Sequence, residues 1–165
     1  MRFSIDQQVA VAPEVALAAY GNPAFYEGRP PRDNISVLEV VSHEESGSRV
    51  LIEVRFKFTG SVSSAVRTLV DPGKMSWVTR TKVLVDEGRS EFEVLPDNYP
   101  DRLTSQGTYR FTEGTGGPGS TVIKVEGDLK VHVPIVGRTV ERVIVSGLRS
   151  YIAAEVTSIP DVPLG

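Results

Sequence analysis

The sequence predicts an α+β domain: a seven-stranded antiparallel sheet with one wet face, two short helices after its first strand, and one long C-terminal helix on the dry face. Three observations carry this expectation. Period-two alternation recurs from Asn34 to Val133, with turn clusters between the runs. The pattern turns helical after Pro134 and stays so to about Ile159. The 165 residues, 40% of them hydrophobic, suffice for one core, and no linker or repeat divides them.

The elements follow in order. Arg2 to Val9 sets Phe3, Ile5, Gln7 and Val9 on one side of a strand. Ala12-Pro13-Glu14 opens a helix, because Pro suits a first turn and Glu14 complements its dipole. That helix, Glu14 to Tyr20, stops at Gly21-Asn22-Pro23. A second short helix is expected at Ala24 to Gly28, ended by Arg29-Pro30-Pro31. Ile35 to His43 and Arg49 to Phe58 form a hairpin around Glu44-Glu45-Ser46-Gly47. Val50, Ile52, Val54, Phe56 and Phe58 share its dry face.

Gly60 to Val70 reads either as loop or as a short helix capped by Ser63 or Ser64. Met75 to Val85 resumes alternation, with Trp77, Thr79, Thr81 and Val83 on one side. Strands at Glu91–Leu95, Arg102–Thr112 and Thr121–Val133 complete the sheet. A wheel centred on Gly147 places Val136, Val140, Val143, Ile144, Tyr151 and Ala154 on one stripe of the last helix. The tail, 160–165, is expected to be irregular, and one domain covers residues 1–165.

Composition excludes several classes. Eighteen Lys+Arg against 21 Asp+Glu give −3, without the basic excess of a nucleic-acid binder. With no cysteine, thiol chemistry and cysteine metal sites are impossible. Two distant histidines, His43 and His132, do not suggest a catalytic zinc. No segment approaches the roughly 18 apolar residues of a membrane span. A charged start, Met1-Arg2-Phe3-Ser4-Ile5-Asp6, lacks a leader's apolar run, so a soluble cytoplasmic protein is expected. No cofactor is called for.

Element order resembles the helix-grip fold of the START-like superfamily, also called SRPBCC, which includes polyketide cyclases and the birch-pollen allergen group. The likeness covers the whole chain. It rests on that order, on Ile5-Asp6-Gln7-Gln8-Val9-Ala10-Val11-Ala12-Pro13-Glu14-Val15, and on Val131-His132-Val133-Pro134-Ile135-Val136-Gly137-Arg138-Thr139-Val140-Glu141. The second segment is similar to an uncharacterised bacterial START-like family. The resemblance implies a curved sheet gripping the last helix, with an apolar cavity between them that holds lipids, sterols or polyketides.

Candidate lining residues are Trp77, Thr79, Thr81, Ser105, Tyr109, Val140, Ile144, Gly147 and Tyr151. Gly147 either leaves room for a ligand under the helix or lets the helix pack closely on the sheet. Gly107 and Gly127 either deepen the cavity or mark bends. The hydroxyls of Thr79, Thr81, Ser105 and Tyr109 either meet a ligand or satisfy one another. His43 and His132 read as surface residues, and no catalytic or metal-binding residue nominates itself. Val145, Leu148, Ile152, Val156 and Ile159 form a second apolar stripe, read as the contact of a possible homodimer unless the tail and loops cover it.

Three functions are compatible with these features. The first is carriage of a hydrophobic small molecule. The second is a cyclase, dehydratase or hydrolase using the same cavity. The third is a protein-interaction module with a filled core.

Overall fold

Alternation becomes a seven-stranded antiparallel sheet in the computed structural model, which describes residues 1–163. The strands are β1 (Arg2–Val9), β2 (Ile35–Ser46), β3 (Arg49–Phe58), β4 (Ser76–Leu84), β5 (Arg89–Pro96), β6 (Leu103–Gly114) and β7 (Gly117–Val131). Their spatial order is β1-β7-β6-β5-β4-β3-β2. Strands β2 to β7 therefore form a meander of hairpins, and β1 closes it by pairing with β7, Phe3 opposite Gly127 and Ile5 opposite Val125. Edge strand β2 slips register between Val37 and Glu39 and between Val40 and Ser42. Such bulges twist a free edge away from further pairing.

The helices follow the punctuation in the sequence. α1 (Pro13–Tyr20) starts on its proline and is ended by Gly21. The second short helix is a single 3-10 turn, Pro23–Phe25, capped by the Asn22 side chain. α2 (Ser64–Arg67) resolves the ambiguous stretch: the Ser63 hydroxyl accepts from Val66 N. α3 (Gly137–Val156) ends three residues earlier than expected. A 3-10 turn at Ile159–Asp161 occupies part of the tail read as irregular, and 164–165 lie outside the described residues.

The start of α3 shows why its leading motif has its residues. Pro134 ends the sheet because it has no N–H for a ladder. Ile135 turns the chain at a φ of 70°. A Cβ at Gly137 would meet the Val131 carbonyl oxygen at 2.7 Å, so only glycine lets the helix begin against the end of β7. α3 then lies across β7 and β1, and α1 packs on β4, β6 and β7. Between them stand the buried Phe3, Ile5, Ile52, Val54, Ile123, Val125 and Leu129.

Two inward glycines face each other at the middle of the sheet. Gly107 of β6 pairs with Gly127 of β7 without a register shift, so neither marks a bulge. A Cβ on Gly127 would lie 2.8 Å from the Phe3 ring, and one on Gly107 would lie 2.8 Å from the Phe92 ring. Aromatic rings from the neighbouring strands already cover both glycines. They fill the space instead of deepening it.

Candidate functional site

The face that α3 turns to the sheet differs from the expected one. Its buried residues are Gly137, Glu141, Tyr151, Ile152, Glu155 and Val156, with Val145 and Leu148 packed beside them. Gly147 is exposed, and no heavy atom stands within 4 Å of the position its Cβ would take. The stripe Val145, Leu148, Ile152, Val156 and Ile159, read as a homodimer contact, is the core face of the helix within one chain. The chain itself covers this stripe, so it is not the free apolar face that suggested the contact. Two carboxylates disguised this face: Glu141, Leu148 and Glu155 follow at seven-residue spacing among the apolar positions.

One end of the space between sheet and helix is filled by aromatic side chains. Tyr20 of α1 packs edge-on to Phe25 at 5.1 Å and Phe111 at 5.5 Å, and against Tyr109 at 5.0 Å. Phe56 of β3 meets Tyr26 at 6.5 Å, Trp77 at 5.9 Å and Tyr151 at 6.4 Å. Within this plug lies an ion pair. Arg29 Nη1 donates to Glu155 Oε2 at 2.6 Å and to the Tyr151 hydroxyl at 2.7 Å. Its Nε and Nη2 donate to the Phe25 carbonyl at 3.1 and 2.7 Å. The guanidinium also lies 4.4 Å from the centroid of the Phe25 ring, a cation–π contact. Arg32, from the same loop, donates to the Ala154 carbonyl at 2.6 Å. Two arginines thus clamp the C-terminal half of α3.

The electrostatics of this node keep its phenols neutral. Burial first, and then the Glu155 charge, push the hydroxyls of Tyr20, Tyr26 and Tyr109 well above the usual tyrosine value. Tyr151 is raised by the same two causes, against the opposing pull of Arg29. Burial alone would lower the Arg29 value, but Glu155 overrides it and holds the guanidinium protonated. Among the described residues, Tyr20 Oη and Ser90 Oγ are buried without a hydrogen-bond partner. Neutral phenol donors and a fixed cation can hold an electron-rich oxygen.

The other end is open. Tyr151 touches Phe56, so the flank of α3 that carries Val140, Ile144, Gly147 and Tyr151 looks toward β3 and β4. The helix itself packs on β7 and β1. The inward residues of the intervening strands are therefore covered unequally. Thr81 and Ser105 are buried, while Trp77, Thr79, Val94, Leu103 and Tyr109 are half-buried, as are Val140 and Ile144 across from them. Thr79 pairs with Val54 and Val94, and Ser105 with Val94 and Leu129, so both belong to one patch of the inner face. Of the nine expected residues, Trp77, Thr79, Thr81, Ser105 and Tyr109 lie on the inner face of the sheet, Val140, Ile144 and Tyr151 lie on the flank of α3, and Gly147 is exposed beyond them.

Arg29, Glu155 and Tyr20 were not expected there. Arg29 sits in a Gly-Arg-Pro-Pro run that reads only as a helix stop, and Glu155 reads as a solvated charge. The one usable signal was the position of Glu155 on the Ile152–Val156 face. His43 and His132 are exposed, the latter 3.2 Å from the Thr104 hydroxyl. On the outer face of the sheet an open recess of about 950 Å³ is lined by Arg2, Arg80, Lys82, Glu91, Glu93 and Asp128, among others. Arg80 lies 3.6 Å from Glu53 and 3.7 Å from Glu93. Leu51, Phe3 and Phe92 also reach this recess, between the charged side chains.

Comparison with solved structures places this architecture. An aromatase/cyclase, ZhuI, from Streptomyces sp. R1128 superposes with a TM-score of 0.63 at 11% identity, over 97% of this chain and 93% of that one. Norcoclaurine synthase from Thalictrum flavum gives 0.61 at 15% identity, over 96% and 85%. A START superfamily protein from Mycobacterium smegmatis gives 0.61 at 16% identity, over 98% and 99%. At these identities the likeness is one of fold, and the fold is the START-like helix grip. Sequence comparison with curated proteins yields no match. A family model matches residues 4–160, and the chain belongs to that family, described as a protein of unknown function, DUF2505.

Proposed function

We propose that the groove between the inner face of β4–β6 and the α3 flank binds a hydrophobic small molecule of lipid or polyketide-like character. One observation carries the reading. The inner-face residues Trp77, Thr79 and Leu103 and the α3 flank residues Val140 and Ile144 are only half-buried, whereas the residues under the core face of α3 are buried. A few hydroxyls among apolar walls are the usual make-up of a small-molecule site. The superposed folds include a protein named as an aromatase/cyclase, which supports the same use of the groove.

A second reading, a cyclase-, dehydratase- or hydrolase-type enzyme in the same groove, is favoured by the Arg29–Glu155–Tyr151 node at its closed end. Its neutral phenols could donate to a ligand carbonyl. Glu155 is engaged by Arg29, however, so the binding reading needs fewer rearrangements.

The test is native mass spectrometry of protein purified from its own host, with a thermal-shift panel of lipids and aromatic polyketides. At 100 times its dissociation constant a ligand adds about 2.7 kcal/mol. For a chain of this length that raises Tm by about 5–10 °C. Gly147→Leu is expected to fold normally and to lose the shift. Empty organic extracts together with an unmoved Tm across the panel would remove the binding reading.

A further inference from the structure

We infer that the rim at the open end of the molecule docks on an anionic lipid bilayer, with Ile135 as its apolar wedge. Ile135 is 100% exposed. Its φ of 70° is in the left-handed region that β-branched side chains avoid. Val136 N donates to the Pro134 carbonyl at 2.8 Å across it, which closes a three-residue turn. The turn holds the side chain outward, where none of the described residues covers it.

Five further large apolar side chains are exposed among the described residues, including Val143 of α3 at 67% and Leu69 at 36%. Leu69, in the β3–β4 connection, is joined to the Ile135 segment through Arg102. The Arg102 guanidinium donates to the Leu69 carbonyl, and the Arg102 carbonyl accepts from His132 N at 2.8 Å. Three segments distant in sequence therefore meet on one rim.

Charge selects the occupant. The chain as a whole is −3, yet the exposed charges of α3 are Arg138, Arg142 and Arg149. Both carboxylates of the helix, Glu141 and Glu155, are buried and engaged. Lys130 joins Arg138 and Arg142 around a recess of about 230 Å³. Arg67 and Lys74 lie on the β3–β4 connection. Of the acids in this region, the Asp71 carboxylate accepts from Gly73 N, and Asp97 is engaged by Arg55 and Ser76. Basic side chains beside exposed apolar ones are the pattern of a surface that sits on an anionic membrane. A lone isoleucine on a convex turn gives a protein partner little area to bury, whereas a bilayer accepts it.

This inference goes beyond the ligand reading and does not depend on it. The test is co-sedimentation with vesicles of phosphatidylcholine alone and with about one-third phosphatidylglycerol. The parent protein is expected to pellet with the anionic vesicles, not with the neutral ones, and to be released by salt. Arg138→Glu/Arg142→Glu should lower binding at least about fivefold, the worth of one basic residue near such a surface. Ile135→Gly, which suits the left-handed turn and keeps the fold, should lower it by a similar factor. Circular dichroism confirms that each variant is folded. Parent protein that stays in solution with both vesicles, that pellets equally with both, or that binds no better than folded Ile135→Gly and the double arginine variant, overturns the inference.

Discussion

Arg29 and Glu155 meet at 2.6 Å across 126 residues of chain, with side chains only 3% and 5% exposed. The pair fixes the loop after α1 to the last turns of α3. It therefore decides how far the closed end of the groove is closed.

Removing one partner leaves the other as an uncompensated buried charge, at a cost of about 3–5 kcal/mol. Glu155→Ala or Arg29→Ala is expected to lower Tm by roughly 10 °C. Replacing both by methionine should recover most of the loss, because an apolar pair of similar volume needs no hydration. Urea melts of the three variants check this. A double variant no better than the singles would show that the loop needs the ion pair itself.

Glu141 gives the molecule an acid limb. The Val131 N–H bonded to its carboxylate, opposed by burial and aided by the terminal amine and Lys130, holds its pKa below the usual carboxylate range. A lowered folded-state value means that the carboxylate stabilises the fold above the unfolded value of about 4.3. That contribution is lost as pH falls through the folded value. Glu141→Gln keeps an acceptor for Val131 N and should flatten this part of the pH–stability curve. An unchanged acid limb in the variant would assign it to other carboxylates.

Gly127 tests the glycine pair. A Cβ there would lie 2.7 Å from the Gln106 carbonyl oxygen and 2.8 Å from the Phe3 ring. Gly127→Val is expected to cost about 1–3 kcal/mol by overpacking. Gly119→Val, in open space near the start of β7, serves as the contrast and should be close to neutral. Equal melting temperatures for the two would contradict the close packing of Phe3 on Gly127.

The sheet was legible in the sequence because each strand has one dry and one wet face. Val50 to Phe58 is the clearest case, and its inward set is the observed one. The phase of α3 was not legible. Val136, Val140, Val143, Ile144 and Tyr151 match in number the apolar residues beside Glu141 and Glu155, and the two carboxylates tip a wheel toward Gly147. Burial of two carboxylates depends on partners, Val131 N and Arg29, that no local pattern links to the helix. Tyr151, Ile144 and Val140 lie on the shoulder shared by both phases, so they stay at least half-buried in either. The plug was missed for a related reason: Tyr20, Phe25 and Tyr26 belong to segments whose own periodicity is too short to show where they pack.

Strand β1 holds a special place in this topology. Every other strand pairs with one next to it in sequence, whereas Arg2 pairs with Asp128 and Val9 with Thr121. During synthesis the first strand emerges long before its neighbour exists. Phe3 and Ile5 must wait, unburied, until nearly the whole polypeptide has left the ribosome. The β2–β6 hairpins join neighbours in sequence, whereas the β1–β7 seam spans more than a hundred residues. A nascent chain stalled before β7 would present a sticky amino-terminal ribbon to chaperones.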